Sequence, residues 1–136
     1  MRVVLDEGAK LPTRAHRYDA GLDVYSREIK VVPARGSEVF DTGVHVEIPE
    51  GYVGFLKSKS GLNVKHNLTS EGVIDAGYTG SIMVKLYNHG DVDYTVNAGD
   101  KITQLVVFRV LLEDCDECDR LDETERGDGG FGSTGK

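Results

Sequence analysis

The chain has no tryptophan, two cysteines and three prolines among 136 residues, and each scarcity closes off a class of protein. With Cys115 and Cys118 alone, no disulfide framework can staple the fold, and without a second Cys or His pair a structural zinc site is not expected. Their C-x-x-C lies inside Asp114-Cys115-Asp116-Glu117-Cys118-Asp119, where reduced, inert thiols are expected. Positive charge is also short. The 16 Lys and Arg against 23 Asp and Glu leave a net −7, the wrong sign for holding nucleic acid by counterion release. A small anionic ligand stays open, because glycine-rich backbone and a few local cations bind phosphate whatever the global charge. No apolar run is long enough for a membrane span and no basic-plus-apolar leader opens the sequence, so a soluble, cytoplasmic chain with no membrane partner is expected.

Helix signals are scarce as well. From Gly21 to Leu112 short apolar runs alternate with turn residues, the pattern of an antiparallel sandwich or barrel. Val44, Val46 and Ile48 point one way and His45 and Glu47 the other; Ile82, Val84 and Leu86 repeat this against Met83, Lys85 and Tyr87, and Val92, Tyr94 and Val96 repeat it again. Pro33-Ala34-Arg35-Gly36, Asn88-His89-Gly90-Asp91 and Asn97-Ala98-Gly99-Asp100 read as turns between strands. The expected fold is all-β, a distorted jelly roll or closed sheet over residues 1–112, with one short helix starting at Ser60 as N-cap and running towards Asn67. Residues 113–125 carry eight acids and one Arg and read as a solvated linker. Fully extended, it could reach about 40 Å, enough to cross onto another subunit. Residues 126–136 form a glycine-rich tail with five glycines, expected to stay disordered until a ligand orders it.

Two stretches carry chemistry on their own residues. Gly72-Val73-Ile74-Asp75-Ala76-Gly77-Tyr78-Thr79-Gly80 reads as a strand feeding a tight hairpin turn, with Asp75 at its lip and Tyr78 offering a flat face. Such an acid is either a turn-former or an active-site group. The second is Arg126-Gly127-Asp128-Gly129-Gly130-Phe131-Gly132-Ser133-Thr134-Gly135. It imitates a P-loop but lacks the preceding strand, so that fold is rejected. Its glycine amides, Ser133, Thr134 and Arg126 nevertheless suit phosphate oxygens, and Phe131 suits a stacked base.

Five pieces stand in order: Ala20-Gly21-Leu22-Asp23-Val24, Lys59-Ser60-Gly61-Leu62, Gly72 to Gly80, Gly99-Asp100-Lys101-Ile102-Thr103-Gln104-Leu105, and the Arg126 tail. Together they resemble the five motifs of the trimeric dUTPase family, all-β enzymes that hydrolyse dUTP to dUMP and pyrophosphate. The resemblance implies that Asp75 is the general base activating a water for attack on the α-phosphorus. It implies that Tyr78 packs under the deoxyribose, and that Gly72, Val73, Ile74 and Met83 line the nucleoside pocket. Asp23 would hold Mg²⁺ through waters. Lys59, Ser60, Gly61 and Gln104 match phosphate-contacting positions. Arg126, Phe131, Gly132, Ser133 and Thr134 would close over the substrate as a lid, in a homotrimer whose sites are shared between subunits.

Three positions depart from the family pattern. Lys59 stands where Arg is usual and lacks its bidentate fork. Thr69 stands where Asn often reads uracil, and Gly77 replaces a frequent acid. The nearest alternative is a dCTP deaminase, whose deaminating glutamate lies where this chain has Lys85 in Ile82-Met83-Val84-Lys85-Leu86. A non-catalytic nucleotide-sensing protein is the alternative from another class.

Overall fold

The computed structural model describes residues 1–135. Eleven strands and one helix form in the order β1 (Val3–Leu5), β2 (Gly21–Tyr25), β3 (Lys30–Val32), β4 (Ser37–Asp41), β5 (Val44–Val46), β6 (Tyr52–Lys57), α1 (Ser60–His66), β7 (Leu68–Thr69), β8 (Glu71–Asp75), β9 (Met83–Asn88), β10 (Tyr94–Val96) and β11 (Lys101–Arg109). All ladders are antiparallel. The principal sheet is β2-β11-β6-β8, and β4-β9-β7 faces it. Pairs β1-β5 and β10-β3 complete the jelly-roll-like arrangement. Among the described residues no helix is long and apolar enough to cross a membrane.

The period-two pattern decides which side chains meet between the sheets. Val44, Val46 and Ile48 are buried, as are Ile82, Val84 and Leu86, and they join Phe40, Leu56, Leu68, Ile74 and Leu105 in one apolar cluster. The Val92 alternation fails: Val92 is exposed in a bend, and the strand begins at Tyr94. The Asn88 side-chain amide donates to the Val92 carbonyl at 2.9 Å, holding that stretch as a loop.

Two further expectations need correction. Ser60 is the first helical residue; the cap is Lys59, in extended backbone with no side-chain capping bond. The strands flanking Asp75 do not form a hairpin either. β8 ladders with β6, and β9 with β4 and β7, so Asp75 to Ser81 is a corner crossing from one sheet to the other.

Candidate active site

The corner begins with a turn in which the Tyr78 amide donates to the Asp75 carbonyl at 3.1 Å, and Gly77 takes φ +89°, a region that penalises any Cβ. Acids that build turns commit their carboxylates to nearby amides. Asp19, Asp41 and Asp100 do so here, accepting from His16, Gly43 and Asn97. Asp75 is exposed, and its carboxylate accepts no hydrogen bond from the described residues. It lines a cavity of about 220 Å³ with Val73, Ile74, Tyr78 and Met83. The Tyr78 hydroxyl donates to the Ser81 carbonyl at 3.0 Å. The ring lies so close over Gly80 that a Cβ there would come within 2.6 Å of the tyrosine Cζ. β8 ends its sheet, so backbone groups on its outer side are unpaired and available to a ligand edge.

A second cavity, about 400 Å³, is lined by Asp23, Lys59 and Gln104 together with Asp19, Gly21 and Lys57. Asp23 is only 4% exposed. Its Oδ1 accepts from the Lys59 ammonium. The Lys101 ammonium stands 2.8 Å from Oδ2, but without hydrogen-bond alignment, so that buried oxygen has an ion-pair partner and no hydrogen bond. Burial, the largest influence, pushes the Asp23 carboxyl up; Lys101 and Lys59 together outweigh it and hold it below the usual carboxylate range. Gln104 lies across β2 above Gly21 and donates to the Ser58 carbonyl at 3.0 Å.

The register separates the two cavities. Asp23, Gln104, Lys57 and Glu71 form one row across β2, β11, β6 and β8, and Asp75 lies at the other end of β8. Three strand spacings across and four residues along place Asp23 and Asp75 about 20 Å apart at the backbone.

The dUTPase family model matches residues 7–135. The deoxyuridine 5'-triphosphate nucleotidohydrolase of Debaryomyces hansenii is 45% identical over 140 residues, covering 100% of this chain and 88% of its own length. This chain belongs to the dUTPase family. Among solved structures, the dUTPase of Staphylococcus bacteriophage 80alpha with dUpNHpp is 32% identical with a TM-score of 0.90, matching 99% of this chain and 98% of that one. A mutant dUTPase from phage phi11 of S. aureus, described with a structural Mg(II) ion, is 32% identical with a TM-score of 0.82, over 88% of this chain and 96% of that one.

The remaining family positions are scattered. Ser60 and Gly61 are exposed at the start of α1, next to Lys59. The Thr69 hydroxyl, on β7, pairs with His89 Nε2 at 2.7 Å. Gly72 packs against Leu56, where a Cβ would come within 3.1 Å. Lys85 faces outward on β9, its ammonium 5.0 Å from the Tyr87 ring centroid. In the tail, Arg126 Nε donates to the Gly129 carbonyl at 2.8 Å, the Ser133 amide donates to the Gly130 carbonyl at 3.1 Å, and Phe131 is fully exposed. Lys136 lies outside the described residues.

Several working residues escaped the sequence reading. Lys101, the second cation on Asp23, sits beside a register shift in β11 that also buries Ile102 and Thr103 in succession; alternation alone does not reveal a bulge. Thr103 Oγ1 donates to the Lys57 carbonyl at 3.0 Å and accepts from Ser70 at 2.8 Å. Ser58 Oγ donates to the Ser70 carbonyl and accepts from its amide. These hydroxyls tie the Lys57–Lys59 segment to β11 and the β7–β8 link. Polar residues inside apolar runs were the available signal.

Among the described residues no three His, Cys, Asp or Glu side chains are grouped to hold a metal. A resident ion has no cage here. The residues present would suit only a Mg²⁺ that keeps its waters, for which Asp23, ion-paired by Lys59 and Lys101 with no hydrogen bond to its Oδ2, would be the carboxylate.

Proposed function

We propose that this chain hydrolyses dUTP to dUMP and pyrophosphate, with Asp75 as general base, in a site completed by neighbouring copies of the chain. The observation that carries the reading is the uncommitted Asp75 carboxylate beside Tyr78 and Met83 in a cavity at the sheet edge. The free backbone edge of Gly72–Asp75 would read the uracil and the 3'-hydroxyl, with the side chains of Val73, Ile74 and Met83 walling the base. Tyr78 beneath the sugar would leave no room for a 2'-hydroxyl. Asp75 would take a proton from a water as its oxygen attacks the α-phosphorus in line. The bond from that phosphorus to the α,β-bridging oxygen breaks, and pyrophosphate departs. Phosphoryl transfer asks mainly for positioning and charge neutralisation.

Lys59, Ser60, Gly61 and Gln104 would contact the phosphates. Mg²⁺, when bound, would neutralise phosphate charge, and Asp23 would hold it through water. Thr69, whose hydroxyl already pairs with His89, would contribute to base recognition from the facing sheet. Arg126, Phe131, Gly132, Ser133 and Thr134 would order over the nucleotide. That lid role is supported by a tail whose hydrogen bonds stay within residues 124–135. On this reading the chain divides into a β body 1–112, a linker 113–125 and a lid 126–136.

The diagonal spacing of Asp75 and Asp23 supports a shared site, since about 20 Å far exceeds a triphosphate. One chain's Asp75 would act on phosphates held by another chain's Asp23 row, in a homotrimer. Family membership and the dUpNHpp held by the phage 80alpha relative support dUTP as substrate. Acting in the cytoplasm, the reaction would limit uracil incorporation into DNA and supply dUMP for dTMP synthesis.

The test is pyrophosphate release from dUTP, UTP, dTTP and dCTP, with and without Mg²⁺, alongside Asp75→Asn and the native mass. Release confined to dUTP, lost in Asp75→Asn while dUTP still binds, is expected from a trimer. Ammonia from dCTP would favour the deaminase reading instead, and near-normal turnover in the variant would remove Asp75 from its role.

A further inference from the structure

A third cavity, about 410 Å³, opens behind the Asp75 corner and is lined by Arg2, Val4, Asp6, His45, Glu47 and Thr79, together with Val46. His45 belongs to β5, where Val44 and Val46 face the core, so its ring points outward. Nδ1 lies 2.7 Å from the Thr79 carbonyl oxygen and Nε2 lies 3.2 Å from Asp6 Oδ1. A carbonyl only accepts, and an ionised carboxylate only accepts, so both ring nitrogens must donate at once. Only the imidazolium can do that.

We infer that protonated His45 is a positioning residue: it latches the Thr79 backbone to Asp6 and so holds the neighbouring Tyr78 ring in place under the nucleoside. The corner needs such a latch because no strand ladder joins β8 to β9. Its far end is fixed separately: Ser81 Oγ donates to Asp41 Oδ1 at 2.5 Å and the Ile82 amide donates to the Val44 carbonyl at 2.8 Å. Between those ties and the turn at Asp75, His45 grips the middle of the span from outside the corner.

The charges around His45 agree with the cation. Asp6, after β1, and Asp41, at the end of β4, face it, and the Thr79 carbonyl first, then Asp6, raise its pKa above the ordinary imidazole value. Arg27 stands on the opposing side, 3.8 Å from Asp6 Oδ2 and 2.9 Å from Asp41 Oδ2. Arg2 and Glu47, also in the cavity, are paired with each other through two bonds of 2.6 Å. With the folded pKa raised, the latch is intact at low pH and is lost as pH rises through that value. The neutral ring keeps one partner and releases the other.

The effect on substrate rests on the dUTP-hydrolysing reading; the latch itself does not, and the experiment separates them. Full-length wild type, His45→Gln, His45→Val and Asp6→Asn are compared from pH 6 to 9. Val suits a strand, and Gln offers a donor whose state does not change with pH. Amide exchange over residues 77–81, corrected for intrinsic rate, should lose about fivefold protection in wild type across this range, the worth of one hydrogen bond. Both His45 variants should be flat, and Asp6→Asn flattened. The KM for dUTP should rise about fivefold in wild type and stay flat in the His45 variants, with kcat following one profile in all. A His45 variant that keeps the wild-type slope in exchange would overturn the latch, and an effect on kcat rather than KM would overturn the positioning role. Absence of pyrophosphate release from wild type would sink the catalytic reading while the exchange result still decided the latch.

Discussion

Gly21→Ala is a substitution whose sign depends on whether the local contact or strand propensity dominates. Gly21 lies in β2 with no positive φ, so propensity alone favours Ala by about 0.5 kcal/mol. The contact says otherwise. A Cβ at Gly21 would overlap Gln104 Oε1 and come within 3.0 Å of its Cδ and 3.1 Å of its Cβ. Gln104 cannot clear the methyl by a small tip movement, because the crowding extends to the root of its side chain. It has to leave its rotamer, breaking the bond from Nε2 to the Ser58 carbonyl and leaving that half-buried carbonyl unpaired, a cost of about 1–2 kcal/mol. Gln104 would also leave the cavity it shares with Asp23 and Lys59. We expect a net destabilisation of about 1 kcal/mol in urea unfolding and a KM for dUTP raised about tenfold. The control is Gln104→Ala, alone and combined. In that background the added methyl meets no amide, so Gly21→Ala should be neutral or slightly stabilising, with a coupling of about 1 kcal/mol. Strict additivity in the cycle, or a stabilised single variant, would refute the argument.

Three other outcomes follow from the same geometry. Gly80→Ala would set a methyl 2.6 Å from Cζ and 2.9 Å from Cε2 of the rigid Tyr78 ring; the ring should swing aside, raising KM for dUTP about tenfold and narrowing the preference over UTP, which competition kinetics would measure. Lys101→Met removes one cation from a carboxylate whose side chain is 5% exposed and should lower stability near neutral pH, moderately because Lys101 is nearly half exposed and solvent screens it. Asp23 is held below the usual carboxylate range, so its contribution is present above about pH 4 and lost as pH falls below that; in urea unfolding from pH 3 to 7 the variant should show a shallower acid loss than wild type. Among the described residues 126–135 no hydrogen bond reaches the β body, so on deleting residues 126–136 calorimetry should show a Tm shift under about 2 °C while turnover falls at least a hundredfold.

The architecture was legible because its strands face water on one side, and residues such as Val44, Val46, Val84 and Leu86 declare their faces by alternation alone. Where a residue's setting depends on a partner strand, the reading ran out. Val92 had the right period but no neighbour to pair with, and the Asn88 amide holds it in a loop. Gly72 to Gly80 carries the turn residues of a hairpin, yet pairing is long-range, and β8 and β9 found different partners. Lys101 reaches Asp23 across a bulge that no single-strand pattern encodes. His45 looked like an ordinary outward residue, because neither Asp6 nor Thr79 is near it in sequence.

The same long-range pairing bears on why the active-site groups are arranged as they are. β11 and β6 are both flanked on two sides within the principal sheet, and Gln104 of β11 sits between Asp23 on β2 and Lys57 on β6. The buried carboxylate opposed by cations, Asp23, lies on β2 at the other edge of the sheet, where Thr13 bridges its outer side and hydroxyls of Ser58, Ser70 and Thr103 hold the nearby backbone. A general base needs the reverse: an exposed edge, an uncommitted carboxylate and a turn that aims it. One sheet cannot offer both settings at the same point. With Asp75 at the free end of β8 and Asp23 at the Thr13-bridged edge of β2, about 20 Å away, bringing both to one triphosphate would take a second copy of the sheet, as proposed above. On this argument, an Asp75→Asn chain mixed with an Asp23→Asn chain should regain turnover that neither homotrimer has, because some mixed trimers contain a site with both wild-type acids. Failure to regain any turnover, with mixed trimers demonstrated by native mass, would mean that each chain completes its own site.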